Sequence, residues 1–348
     1  MKRLIITFLL FTSCLAPAAA EEPAQKFASL GDFQLENGQE IRDLKLGYRT
    51  VGELNADQSN AVLFPTWLTG TTANIVGLGG LVGPGKLVDS SKYFVILVDA
   101  LGNGVSSSPS NSKEQPHMRF PQVSIRDMVR AEHELATKHL KLRHLRAVIG
   151  ISMGGMQTFQ WVVSYPDFMD KAIPIVGSPQ LSSYDLLLWT AVLHAIESDP
   201  AWQGGEYTSP PSAGLATAAD FHALALTTPQ DRVQHIPPRE FPQFLEKNRR
   251  DMLEGFDAND RIRQLQAVIA DDVSAPFGGS MGKAAAAVRA KVLVIVGLKD
   301  HMVNPKPALD FAKLISAPTL ELDSDCGHLS FQCEPEKVSQ AVAQFLEK

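Results

Sequence analysis

Apolar positions in this chain fall into short runs, and the spacing between and within runs changes along its length. Residues 27–35 and 41–51 flank Glu36-Asn37-Gly38, which predicts two antiparallel strands around a tight turn. The later runs at 61–65, 94–99, 147–150, 172–176, 291–297 and 319–322 are nearly continuous and rich in β-branched residues. Strands buried on both faces read this way. Stretches with helical spacing separate several of them, notably 125–139 and 156–164. This alternation predicts a mostly parallel eight-stranded sheet with helices on both faces. Residues 179–290 break the pattern. They are helix-rich, punctuated by Ser209-Pro210-Pro211-Ser212 and Ile236-Pro237-Pro238, and too long for a simple strand-to-helix connection. The expectation is an inserted helical lid, with 21–178 and 291–348 forming the core. Within the lid, 184–196 has helical spacing, and Leu187, Leu188, Val192 and Ile196 are expected to pack. No internal repeat or long low-complexity segment is present.

The first residues read as a leader. Lys2-Arg3 precedes an apolar stretch at 4–15, and Ala16-Pro17-Ala18-Ala19-Ala20 offers an A-x-A cleavage site. That is the pattern of a signal peptide, too short for a membrane span. Cleavage after Ala20 implies a periplasmic or secreted protein. The competing reading is a lipoprotein anchored at Cys14, since Phe11-Thr12-Ser13-Cys14 loosely resembles a lipobox.

Composition narrows the partners. The 348 residues are 45% hydrophobic, enough for one large core. A net charge of −6 argues against nucleic-acid binding, and no second apolar stretch is long enough to cross a membrane. His194, His222 and His235 lack metal-ligand spacing and read as ordinary lid residues. Neither a metal nor a cofactor is expected. Of the 3 cysteines, Cys326 and Cys333 bracket His328. They are either a disulfide or two small buried thiols.

The chemistry lies in Gly150-Ile151-Ser152-Met153-Gly154, a G-x-S-x-G string between a strand-like run and a helix-like stretch. A strand, sharp turn and helix would present the Ser152 hydroxyl on a strained elbow. A serine needs a neighbouring imidazole to take its proton, and the imidazole needs a carboxylate to fix its tautomer. Asp300 follows the 291–297 strand, and His328 follows the 319–322 strand. Both therefore sit at the carboxyl ends of strands, in the order serine, acid, histidine. Asp323 and Asp325 are the competing acids, and Asp300 has a competing role as a cap for the helix after Asn304-Pro305. His301 reads as a rim residue. Oxyanion donors are expected from the backbone N–H of Met153 and of Leu68, the latter in Thr66-Trp67-Leu68-Thr69-Gly70. An ordinary glycine turn is the alternative there.

These strings carry a family resemblance. Leu46-Gly47-Tyr48-Arg49-Thr50-Val51-Gly52-Glu53-Leu54-Asn55, Leu68-Thr69-Gly70, Ser124-Ile125-Arg126-Asp127-Met128-Val129, Ser152-Met153-Gly154-Gly155-Met156-Gln157 and Phe256-Asp257-Ala258-Asn259 resemble a homoserine O-acetyltransferase-like member of the α/β-hydrolase superfamily. The resemblance covers most of the chain after the leader. It implies an α/β-hydrolase fold, with Ser152 as nucleophile, Asp300 as acid and His328 as base.

The departures bear on the substrate. The family's acetyltransferases follow the histidine with an aspartate, where this chain has Leu329. They tend to carry an arginine before Phe-Asp-Ala-Asn, where it has Gly255. A site without those charges does not repay desolvation of a zwitterionic amino alcohol. Trp67 and Leu329 are expected to line an apolar pocket. The expected partner is a small-molecule acyl ester or thioester, with no nucleic acid and no stable membrane span, and a homodimer among the allowed assemblies. The function expected is an exported serine acyl hydrolase. The alternatives are an O-acyltransferase using acyl-CoA and a noncatalytic hydrolase-fold binding protein.

Overall fold

The computed structural model describes residues 22–348. The expected leader and Cys14 lie outside the described residues. Strand β1 (Lys26–Gln34) pairs antiparallel with β2 (Glu40–Val51). The turn between them is held by Leu35 N–H donating to the Gln39 carbonyl at 2.8 Å. Gly38 there has φ 80°, a conformation that favours glycine. The strands β3 (Ala61–Pro65), β4 (Phe94–Val98), β5 (Leu145–Ile151), β6 (Met169–Ile175), β7 (Lys291–Val292 and Val294–Gly297) and β8 (Thr319–Leu322) follow. Their order across the sheet is β1-β2-β4-β3-β5-β6-β7-β8. From β4 onward every pair is parallel. The eight sequence runs correspond to the eight strand paths, although β7 is interrupted at Leu293. Its N–H still donates to the Ala172 carbonyl at 3.0 Å, which carries the ladder across the break.

The central strands β3 to β7 are buried on both faces, and alternation sorts their side chains between two cores. On β3, Leu63 joins one core, while Val62 and Phe64 join the other. On β4, Ile96 and Val98 face the first, and Val95 and Leu97 face the second. Helix α1 (Thr72–Gly77) follows the loop after β3, and helices α2 (Ile125–Glu134) and α3 (Met153–Ser164) cover the first face. The α2 helix begins with a capping box in which Ser124 and Asp127 exchange bonds. Its last turns, Leu135–His139, widen into a π-helix, so the predicted helix over 125–139 is one path with a change of winding. The C-terminal helix (Pro335–Glu347) contributes Val338, Val342 and Leu346 to the second core.

Between β6 and β7 the chain forms a helical insertion. Its main helices are α4 (Ser183–Glu197), α5 (Ser212–Leu226), α6 (Pro229–His235), α7 (Phe241–Gly255), α8 (Ala258–Ile269) and α9 (Met281–Ala287). On α4, Val192 and Ile196 are fully buried as expected, and Leu188 packs partly. Leu187 does not pack: it is 72% exposed. The buried stripe runs through Asp185, Trp189, Val192 and Ile196, and at 100° per residue Leu187 falls outside it. No helix among the described residues is long and apolar enough to cross a membrane.

One buried acid in this scaffold gives a stability test. The Trp161 indole N–H donates to Glu132 Oε2 at 2.6 Å, while Glu132 Oε1 has no partner among the described residues. Burial pushes the Glu132 carboxyl up to about 8 from an ordinary value near 4.5. The folded state thus holds a proton that the unfolded chain releases above about pH 4.5. Its contribution is complete below that pH and is lost as pH rises towards 8. Glu132→Gln removes the titration. Denaturant unfolding at pH 5 and pH 8 should show the variant gaining on wild type by on the order of 3 kcal/mol. An equal difference at both pH values would contradict a neutral buried Glu132.

Candidate active site

Ser152 sits between β5 and α3 with φ 58° and ψ −121°, a strained conformation costing about 1–3 kcal/mol. Close backbone approach explains the flanking glycines. A Cβ on Gly150 would lie 2.0 Å from the Gly154 carbonyl oxygen, and one on Gly154 would lie 2.7 Å from that of Pro65. Ser152 N–H donates to the Ile175 carbonyl at 2.9 Å, and the Ser152 carbonyl accepts from Met156 N–H at 3.0 Å. These bonds pin the elbow to β6 on one side and to α3 on the other.

The sequence-predicted partners meet there. His328 Nε2 lies 2.9 Å from Ser152 Oγ, and His328 Nδ1 lies 2.7 Å from Asp300 Oδ2. Asp300 and His328 are each 5% exposed. Asp300 Oδ1 accepts from Met302 N–H at 2.7 Å and Val303 N–H at 2.9 Å, so the carboxylate is held from both oxygens. Such a carboxylate fixes the imidazole with Nδ1 protonated and leaves Nε2 to accept from the hydroxyl. The competing readings fall away on geometry. Asp323 and Asp325 pair with Lys299 at 3.0 and 2.9 Å. The helix starting at Pro305 is capped by Asn304, which accepts from Lys306 N–H at 3.0 Å. His301 is half-buried, its ring 6.5 Å from that of Tyr184.

Of the two expected oxyanion donors, Met153 N–H occupies the first helical position, where no intrahelical acceptor exists. Leu68 lies in the loop after β3 and lines the same cleft as Ser152. Two glutamines hold this loop. Gln157 Nε2 donates to the Thr66 carbonyl at 3.0 Å. Gln264 accepts from Thr69 N–H at 2.6 Å and donates to the Leu101 carbonyl at 3.0 Å. Gln157 belongs to the family string and now has a physical role. Sequence reasoning missed Gln264, because an amide on an inserted helix announces nothing about a loop nearly two hundred residues earlier.

The cleft over Ser152 encloses about 410 Å³. Trp67 and Leu329 line it as expected. The insertion adds Trp189, His222, Met252, Phe256 and Arg261, none of which the sequence had singled out as a lining residue. His222 is more than an ordinary lid residue. Burial, with the charge of Arg261 added, lowers its pKa to about 3, so its imidazole is neutral. Among the described residues no group of three His, Cys, Asp or Glu side chains is placed to hold a metal.

Cys326 and Cys333 form a disulfide across the segment that carries His328, with Cα atoms 6.5 Å apart. The same segment is tied to the insertion: Thr228 donates through N–H and Oγ1 to the Asp325 carbonyl at 3.1 and 2.8 Å. The bridge joins residues seven apart, and a loop this short corresponds to about 2–3 kcal/mol in the chain-entropy picture. Reduction, or Cys326→Ser combined with Cys333→Ser, should lower unfolding free energy by about that amount. A denaturant titration with and without reductant checks it, and coincident curves would contradict it.

Comparison with known proteins agrees with this geometry. A family profile described as alpha/beta hydrolase fold matches residues 81–335. The chain is 32% identical to the ethyl acetate hydrolase of Pseudomonas veronii over 92% of its length and 93% of that protein's. It is also 32% identical to the homoserine O-acetyltransferase of Methanococcoides burtonii, over 91% of this chain and 72% of the relative. The solved acetyl esterase MekB superposes with a TM-score of 0.88 at 31% identity, covering 93% of this chain and 97% of the esterase. With its mostly parallel sheet and its serine on a strand-to-helix elbow, the chain belongs to the alpha/beta hydrolase fold family, as an enzyme of the hydrolase or acyltransferase type.

Proposed function

We propose that the chain is an exported serine acyl hydrolase that cleaves a carboxylic ester or thioester through an acyl-enzyme. The observation that carries this reading is the unbroken hydrogen-bond chain from Ser152 Oγ through His328 to Asp300, opening on the cleft. Ser152 Oγ attacks the acyl carbonyl carbon while His328 Nε2 takes its proton. Asp300 stabilises the imidazolium. The N–H groups of Met153 and Leu68 receive the oxyanion. The tetrahedral intermediate then collapses, the alcohol or thiol leaves with the proton from His328, and water repeats the sequence on the acyl-enzyme.

A transferase shares every step except the last attack, and the homoserine O-acetyltransferase relatives keep that reading in view. The hydrolase is favoured by Leu329 beside His328 and by Trp67, Leu329 and Phe331 in the cleft wall. An acceptor with an ammonium group meets the Leu329 side chain, and no carboxylate, at the position following the base. The relative named for ethyl acetate supports a short acyl group. Export is supported by the leader-like first 20 residues. The Cys326–Cys333 disulfide suits an oxidising compartment as well.

The test is steady-state turnover of short acyl esters in water, set against acetyl-CoA with homoserine. Hydrolysis should exceed O-acetylhomoserine formation. Ser152→Ala should lower kcat by roughly 10⁴–10⁶-fold, and Asp300→Asn by about 10⁴-fold. Near-wild-type turnover by Ser152→Ala would overturn the assignment, and faster acetyl transfer to homoserine than to water would replace the hydrolase with a transferase.

A further inference from the structure

Arg261 is a buried cation with no carboxylate partner among the described residues. It stands on α8, is 2% exposed, and lines the same cleft as Ser152 and His328. Its Nε–H has no acceptor among the described residues. One terminal nitrogen lies against the Met252 thioether, a weak acceptor. The guanidinium carbon sits 5.6 Å from the centre of the Phe256 ring. Four acidic side chains on or beside the surrounding helices are engaged elsewhere. Asp251, also on the cleft, pairs with Lys247, and Asp220 pairs with Arg249. Asp260 accepts from the Ser110 N–H and hydroxyl, and Asp257 caps α8. His222 brings no negative charge in any protonation state. Burial draws the Arg261 pKa down to about 10, which leaves it charged at neutral pH.

Removing such an ion from water is costly, and a partner within the low-dielectric site normally offsets the cost. A cation–π contact returns only a fraction of that cost. The thioether returns less than a charged acceptor would. No carboxylate among the described residues completes the pair, and the residue lines the cleft.

We propose that Arg261 receives the carboxylate of an anionic substrate, so that the preferred substrate is an ester carrying a free carboxylate. The proposal rests on the acyl-transfer reading of Ser152 and narrows it to a substrate class. It also amends the expectation drawn from Gly255. That position offers no cation, but the neighbouring helix supplies one to the same cleft. The carboxylate can belong to the acyl part, as in a half-ester of a dicarboxylic acid, or to the alcohol part, as in an acylated hydroxy acid. Both present the same anion to the guanidinium.

Two substrate pairs separate these sources: monomethyl against dimethyl succinate, and 3-acetoxypropionate against its methyl ester. Wild type should favour the anionic member of at least one pair by about tenfold or more in kcat/KM, and the pair showing it identifies the side. Arg261→Gln should bring that preference down to about parity, and Arg261→Lys should retain part of it. Circular dichroism establishes that each variant is folded. If Arg261→Gln does not fold, inhibition of wild type carries the test: succinate should compete at least about tenfold better than succinamide. Equal kcat/KM within both pairs, a preference unchanged in folded Arg261→Gln, or equal inhibition overturns the proposal. Turnover of neutral esters without anionic preference removes only the Arg261 assignment. No turnover of any ester removes the acyl-transfer reading beneath it.

Discussion

The site depends on one close approach: helix α3 starts almost in contact with the strands below it. Gly154 touches the end of β3, and Gly155 meets Gly177 just past β6, where a Cβ would come within 3.0 Å of the Gly177 Cα. That contact forces the chain to reverse within one residue, and the residue is Ser152. The strain of its left-handed φ is tolerated because bonds to Ile175 and Met156 hold both sides of the turn. Replacing either close glycine would push α3 off the sheet and move the hydroxyl away from His328. The elbow's energetic cost and its chemical use therefore have the same origin.

Parallel topology does the rest. Strands β5, β7 and β8 run in the same direction, so the loops carrying Ser152, Asp300 and His328 emerge at one edge of the sheet. Each loop is braced separately. Met302 and Val303 orient Asp300, while the disulfide and Thr228 hold the segment around His328. Gln157 and Gln264 fix the loop after β3. Because Gln264 and Thr228 come from the insertion, the insertion is part of the site's frame as well as its roof. The insertion also supplies part of the cleft wall, through Trp189, His222, Met252, Phe256 and Arg261, so substrate selection and loop support are coupled through shared elements.

Much of this was legible from local patterns. The strand runs were readable because burial on both faces makes them continuously apolar, and the elbow because its glycines answer a steric demand within five residues. Asp300 and His328 followed from strand ends and chain order. What stayed hidden depends on contacts distant in sequence. Arg261 looks like one more charge on an amphipathic helix, and only its missing partner in three dimensions distinguishes it. Leu187 was misassigned because several apolar residues crowd 186–189 and spacing alone did not select the stripe through Trp189. The choice between disulfide and free thiols for Cys326 and Cys333 needed a geometry that their spacing does not fix.

The central claim is that His328 and Asp300 make Ser152 a nucleophile. Intact-protein and peptide mass spectrometry after treatment with a fluorophosphonate tests it without knowledge of the substrate. The account predicts a single adduct, located at Ser152, whose formation slows by orders of magnitude in His328→Ala. An adduct on another residue, no adduct at all, or labelling of Ser152 at an unchanged rate without His328 would contradict it.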